Sequence, residues 1–197
     1  MIRPTESYEG KGLPLDCTGL KLQDLPLDLS ESMQIRECHL EGCELRGNGT
    51  RSDFMDVLFE HCDLSNAVLF RSSFRRVRFE KCRLIGCDFS ESAMQDFEVI
   101  DSAALLSNWN ASVMKHAAIR NTQLAEASFS SLKHQKLLLE HCDLTKADFF
   151  KTDLNGLDFS SDEIQGIVLD PDHIKGVTVT SVQALMLAGL LGVLIKD

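Results

Sequence analysis

The chain has 197 residues, 44% of them apolar and only four of them Pro, a composition that excludes a disordered polymer and fits one folded body. Thirty Asp and Glu against 20 Lys and Arg give a formal charge of −10, which excludes nonspecific binding to nucleic acid or to an anionic membrane, because the phosphates would be repelled. Eleven Phe beside one Trp and one Tyr, together with seven Cys, call for a position-specific explanation.

Residues 1–19 carry neither an apolar core of signal-peptide length nor a small-residue cleavage pattern, so an irregular N-terminal cap on a cytoplasmic protein is expected. An odd number of Cys without an export signal then reads as reduced thiols. A membrane span is not expected either. The longest apolar stretch, Ala184 to Ile195, falls well short of the roughly twenty residues that a span requires.

From Leu20 a period of five begins, with Leu20, Leu25, Ile35, Leu40 and Leu45 in one phase. The phase shifts across RGNGTRS (46–52), whose two Gly and one Asn read as an exposed loop or a bulged corner. From Phe54 to Val179 every fifth residue is apolar at 25 of 26 positions, His134 being the exception, where the composition alone would give about eleven. Phe59, Phe79, Phe89, Trp109, Phe129, Phe149 and Phe159 are the aromatic members of this inward ladder. Two residues before each ladder position runs a column of small side chains, among them Cys62, Ser72, Cys82, Cys87, Ser92, Thr122 and Cys142. Six of the seven Cys fall in such a column, Cys17 alone standing outside, and they read as compact apolar fillers.

A period of five fits neither the 3.6 of a helix nor the 2.0 of a strand. If one residue in five points inward, the chain turns a corner once per repeat, and four corners close a coil of about twenty residues that stacks on the next at about 4.8 Å. Residues 60–73 align without gaps to residues 140–153, an offset of 80 that equals four whole coils. His61 and His141 then share a column about 19 Å apart, too far to ligate one metal ion, while Cys62 and Cys142 point the opposite way. A Cys-His nucleophile pair fails on the same geometry. The sequence contains no Gly-rich phosphate loop, no HExxH and no GxSxG, and a filled solenoid leaves no internal substrate pocket. A non-catalytic protein without metal or cofactor is expected.

The stretches CDLSNA, CDFSES, CDLTKADF, KTDLNG and LDFSSD are variants of an A(D/N)LXX unit. On these residues the chain resembles the pentapeptide-repeat proteins over roughly 20–179. The resemblance implies an all-β solenoid, a right-handed quadrilateral β-helix with Leu and Phe ladders inside. Within that family the quinolone-resistance, Qnr-type proteins are acidic dimeric rods that imitate duplex DNA and bind DNA gyrase or topoisomerase IV. The resemblance therefore points to a DNA-mimicking modulator of a type II topoisomerase. The alternative is a structural or scaffold pentapeptide-repeat protein that binds another protein partner. On a twenty-residue coil Glu60, Asp63, Glu80, Glu98, Asp101, Glu140, Asp143, Asp158, Asp162 and Glu163 gather on one face and its corner, the candidate partner-binding surface. Arg71, Arg75, Arg76, Arg78, Lys81 and Arg83 form a basic patch that interrupts it. These carboxylates are sparser than duplex phosphates, which fall at one per about 1.7 Å of axis.

After Ile174 the repeat lapses. Thr180-Ser181-Val182-Gln183 has capping-box form and predicts a helix from Ser181 that ends near Gly189 and Gly192, within a C-terminal segment 180–197. Its apolar residues Val182, Leu185, Met186, Leu187, Leu190 and Leu191 cover more than one face, so a second chain is expected to bury what the solenoid end cannot, giving a homodimer. Phe70 and Phe150 each follow a ladder residue and are expected to point outward.

Overall fold

The computed structural model describes residues 6–7, 15–190 and 192–194. The chain is a parallel β-solenoid, a right-handed quadrilateral β-helix closed at its C-terminal end by the helix Ser181–Leu190. Its longest strands, Asp53–Glu60, Ser73–Glu80, Ala93–Ile100, Val113–Arg120 and Lys133–Glu140, stack in register along one side.

Strand pairing gives the length of each coil. Cys17 pairs with Ile35, Ile35 with Phe54 and Phe54 with Phe74, so successive coils advance by 18, then 19, then 20 residues. Met94, Met114 and His134 continue at the constant step of 20. The short first coil corrects one expectation. Leu22 and Leu27, not Leu20 and Leu25, hold the ladder, because they pair with Leu40 and Leu45, and the predicted pair is displaced to partly buried positions. Cys17, outside the expected column, is the first ladder residue, and its Sγ lies 3.3 Å from that of Cys38. All seven Cys are buried free thiols.

The single-residue loss in the next coil lies between Glu44, which bridges to Asp63, and Asn48, which bridges to Val68. Gly47, at φ 101°, takes up the shortened corner, a conformation that a side chain would strain. Segment 46–52 is therefore neither a projecting loop nor a bulge: Gly49 N donates to Val68 O at 2.7 Å and Arg51 N to Phe70 O at 2.9 Å, holding it on the coil wall. Gly49 occupies a ladder slot, and the end of Met33 fills the space that it leaves; a Cβ there would stand 3.3 Å from Met33 Cε and 3.0 Å from Leu69 Cδ2.

Two kinds of corner alternate around the coil. Tight corners close with a backbone bond across three residues, as from Ala67 N to Leu64 O at 2.9 Å and from Ala127 N to Leu124 O at 3.0 Å. Elsewhere the corner N–H reaches a side chain of the following coil: Ser52 N donates to Ser72 Oγ at 3.1 Å, Ser72 N to Ser92 Oγ at 2.9 Å and Cys82 N to Ser102 Oγ at 3.0 Å. The same column returns a bond to the coil before. Ser92 Oγ donates to Leu69 O at 3.0 Å, Cys82 Sγ to Phe59 O at 3.4 Å and Cys142 Sγ to Ile119 O at 3.4 Å. The thiols are thus hydrogen-bond donors to corner carbonyls as well as fillers. Burial pushes Cys142 up to about 11 and raises Cys87 too, which keeps both protonated. On the corner inside the long strands the column is mostly larger, holding Val57, Val77, Phe97 and Leu137 with a single Ala117 between the last two, all buried.

Ladder residues stack from coil to coil. Ring centroids of Phe59 and Phe79 lie 4.5 Å apart, those of Phe89 and Trp109 4.2 Å, and those of Phe129 and Phe149 4.8 Å. Phe59, Phe79, Phe89, Trp109, Phe129, Phe149 and Phe159 are all buried. Trp109 satisfies its indole N–H on Ser107 Oγ at 2.7 Å, and the small Ala104 in the preceding ladder slot of the same coil offsets its bulk.

Candidate partner-binding surface

Five of the ten carboxylates grouped by the repeat are tied into ion pairs, four of them across neighbouring coils and Glu80 within its own. Glu60 meets His39 at 3.0 Å, and Asp63 lies 3.1 Å from Arg46 and 3.7 Å from Arg83. The Arg46 guanidinium beside Asp63 holds that carboxyl well below the usual range. Glu80 is flanked by Arg78 and Lys81, while Arg78 also reaches Glu98. Arg120 bridges Glu98 at 3.5 Å and Glu140 at 3.1 Å, completing a run Arg78–Glu98–Arg120–Glu140 of alternating sign down the wall. Twenty-residue periodicity brings such pairs within reach because residues 20 or 22 apart stand on adjacent coils.

Asp162 does not belong to the surface. It falls in the small inward column, is 7% exposed, and accepts from Cys142 N at 2.7 Å with Oδ1 while Oδ2 has no partner. Burial raises its pKa to about 6, against the partial relief of the bond from Cys142 N. Among the described residues the remaining carboxylates stay outside ion pairs. Asp101 accepts from Asn121 Nδ2 at 2.9 Å, and Asp143, Asp158 and Glu163 accept from the backbone N–H two residues on.

The basic patch is largely neutralised by the same geometry. Arg71 pairs with Glu91 at 2.8 Å and Arg76 with Asp56 at 2.6 Å, beside the pairs of Arg78, Lys81 and Arg83 already given. Arg75 alone of the six makes no ion pair among the described residues. Carboxylates without an ion pair among the described residues therefore lie mainly toward the C-terminal end: residues 140–172 contain nine Asp and Glu, of which Glu140 and Asp170 are paired and Asp162 is buried, and only Lys146 and Lys151 as strong bases.

Next to that region the helix Ser181–Leu190 closes the solenoid. Thr180 and Gln183 cap it reciprocally, Gln183 N donating to Thr180 Oγ1 at 3.2 Å and Thr180 N to Gln183 Oε1 at 2.8 Å. Gln183 Nε2 meanwhile donates to Phe159 O at 2.7 Å and Asp162 O at 2.8 Å, fixing the helix to the last full coil. At the other end Gly192 N donates to Gly189 O and Val193 N to Ala188 O, with Gly192 at φ 76°. Leu187 is buried in a small hollow shared with Leu169, Pro171, Ile174 and the edge of the mostly exposed Leu190, so Leu187 serves the cap and is not on the free face. Val182, Leu185, Met186 and Leu190 are exposed; Leu191 lies outside the described residues. Phe150 is exposed and Phe70 half-buried, covered by the cations of Lys151 at 5.4 Å and Arg71 at 4.7 Å from the ring centroids.

Sequence reasoning passed over a second feature, a cleft of about 510 Å³ beside His134 that Ser131, Leu132, Lys133, Lys151, Asp153, Asn155 and His173 also line. The signal for it was the one polar residue in the ladder. Among the described residues no group of three or more His, Cys, Asp or Glu is arranged to hold a metal ion, and no helix is long and apolar enough to cross a membrane.

A family model described as pentapeptide repeat region matches residues 52–129, and one described as pentapeptide repeats (8 copies) matches residues 122–161, together more than half of the chain. No curated protein matches the sequence. Among solved structures, a trypsin-treated form of QnrB1, a plasmid-mediated fluoroquinolone resistance protein, superposes with a TM-score of 0.56 at 18% identity over 100% of both chains. Full-length QnrB1 gives 0.53 at 19% identity, covering 90% of this chain and 92% of its own. At such identities the likeness is one of fold.

Proposed function

The chain belongs to the pentapeptide-repeat family, and from that premise we propose that it is a non-catalytic binding protein, a DNA-mimicking modulator of a type II topoisomerase such as DNA gyrase or topoisomerase IV that protects the enzyme from quinolones. The observation that carries the reading is the placement of the free carboxylates. Among the described residues Asp143, Asp158 and Glu163 lie outside ion pairs within one C-terminal stretch, next to the exposed apolar side chains of the closing helix. Joining two copies through Val182, Leu185, Met186 and Leu190 brings the two acidic ends together at the centre of one long rod. A rigid rod with fixed carboxylates fits a cationic groove built for phosphates and offers no scissile bond. The full length of the superposition on QnrB1 supports the same reading.

Supercoiling and quinolone-induced cleavage by purified gyrase test it. Protection is expected at micromolar protein and is expected to weaken at least tenfold in the triple variant Asp143→Asn, Asp158→Asn, Glu163→Gln. Absence of any effect by the unaltered protein would leave the second reading, a scaffold that binds another protein. The continuous ion-pair run Arg78–Glu98–Arg120–Glu140 favours that alternative for the middle of the rod, because it cancels the field there.

A further inference from the structure

Adjacent coils are sewn together by backbone bonds on every side except one. Between the strand Lys133–Glu140 and residues 153–160, both among the described residues, no backbone hydrogen bond is formed. Earlier corners show what is missing: Glu37 N donates to Met55 O at 2.9 Å, and the equivalent bond here, from Lys136 N to Asn155 O, is not made. The cause is a change of corner. The coil that begins at Asp153 closes tightly, with Leu157 N bonded to Leu154 O and Asp162 N to Phe159 O, and it no longer follows the wide path of the strand before it. Side chains span the resulting slit. Leu132 N donates to Thr152 Oγ1 at 3.0 Å, His134 Nε2 meets Asp153 O at 2.6 Å, and His141 N donates to Ser161 Oγ at 3.3 Å.

The cleft of about 510 Å³ opens on this slit. Its volume lies in the range of small-molecule sites. Two ammonium groups, Lys133 and Lys151, border it and are in no ion pair among the described residues, and His134 and His173 add two imidazoles. Asp153 is the single carboxylate in the lining, and its Oδ1 already accepts from Asn155 N at 3.0 Å. His173 is tethered by Asp170, 3.0 Å from its Nδ1. Cations free of ion pairs, beside a strand edge that makes no backbone bond to the next coil, favour an anionic ligand.

We propose that this cleft is a binding site for a small multivalent oxyanion, a phosphate ester or a polycarboxylate, held by Lys133 and Lys151 with Ser131 and Asn155 as further donors. The site lies at the slit, apart from the carboxylates of the topoisomerase reading, and does not depend on it. Pyrophosphate and tricarballylate, titrated separately into the full chain and followed by calorimetry and by the imidazole proton resonances of His134 and His173, distinguish the phosphate from the carboxylate source. Saturable binding of at least one of them at submillimolar concentration is expected, with both imidazoles shifting. Lys133→Ala combined with Lys151→Ala should weaken it at least tenfold, and Lys146→Ala, on another side of the coil, should leave it unchanged. No saturable shift with either anion up to 10 mM, a value set roughly tenfold above the expected range, or equal binding by the double variant, would overturn the proposal.

Discussion

The side-chain amide of Gln183 donates to the backbone carbonyl of Asp162 at 2.8 Å, so the capping residue of the C-terminal helix is bonded to the one buried residue of the small column that carries a carboxyl group. Other members of that column give a proton to a carbonyl of the preceding coil, as Cys142 does to Ile119 O. Asp162 can do so only in its protonated form, and burial already favours that form, with a pKa raised to about 6.

Stability should therefore depend on pH through Asp162. A carboxyl whose folded pKa is raised contributes stability that is fully present below its unfolded value near 4 and is lost as pH rises through about 6. Urea unfolding should show a loss of up to about 3 kcal/mol between pH 4 and pH 7. Asp162→Asn should remove that slope and be the more stable protein at pH 7. A wild-type profile flat across the window would refute the assignment.

Ser72 accepts from Ser52 N and donates to Gly49 O, so Ser72→Ala leaves two buried backbone groups without partners. A cost of about 2 kcal/mol is expected. Cys82→Ser preserves both the donor to Phe59 O and the small volume, and should cost less than about 1 kcal/mol by the same denaturation measurement.

Gly49 and Met33 share one ladder slot. Gly49→Leu alone overpacks it against Met33 and Leu69, with an expected loss of about 2 kcal/mol. Combined with Met33→Ala it should recover at least half of that loss, a coupling that a double-mutant cycle reads directly. Simple additivity would show that the two residues do not compete for the space.

Leu190→Asp places a charge on the exposed side of the closing helix and leaves the Gln183 anchors in place. Sedimentation of the parent chain as a dimer and of this variant as a monomer, with unchanged circular dichroism, is expected on the proposed interface. A parent chain that sediments as a monomer at tens of micromolar, roughly the range of weak association, would remove that interface.

Arg120 stands between Glu98 and Glu140. Because these groups are substantially exposed, Arg120→Ala should cost no more than about 1 kcal/mol, and added salt should shrink the difference.

Period and composition alone determined the ladder from Phe54 onward, because one inward residue per five is a requirement that every coil imposes on every other, and His134 stood out as its single break. The capping box at Thr180 was equally legible, being local in sequence. Only the tertiary structure decided the rest. A first coil two residues short moves the ladder from Leu20 and Leu25 to Leu22 and Leu27, and no spacing within the coil reveals that until its neighbour is laid beside it. Asp162 and Glu163 are adjacent in sequence, yet one faces the core and the other solvent. Which carboxylates remain free of ion pairs depends on cations a whole coil away, as Arg78 is from Glu98. The cleft beside His134 likewise arises where a wide coil meets a tight one, a mismatch between neighbours that neither segment contains by itself.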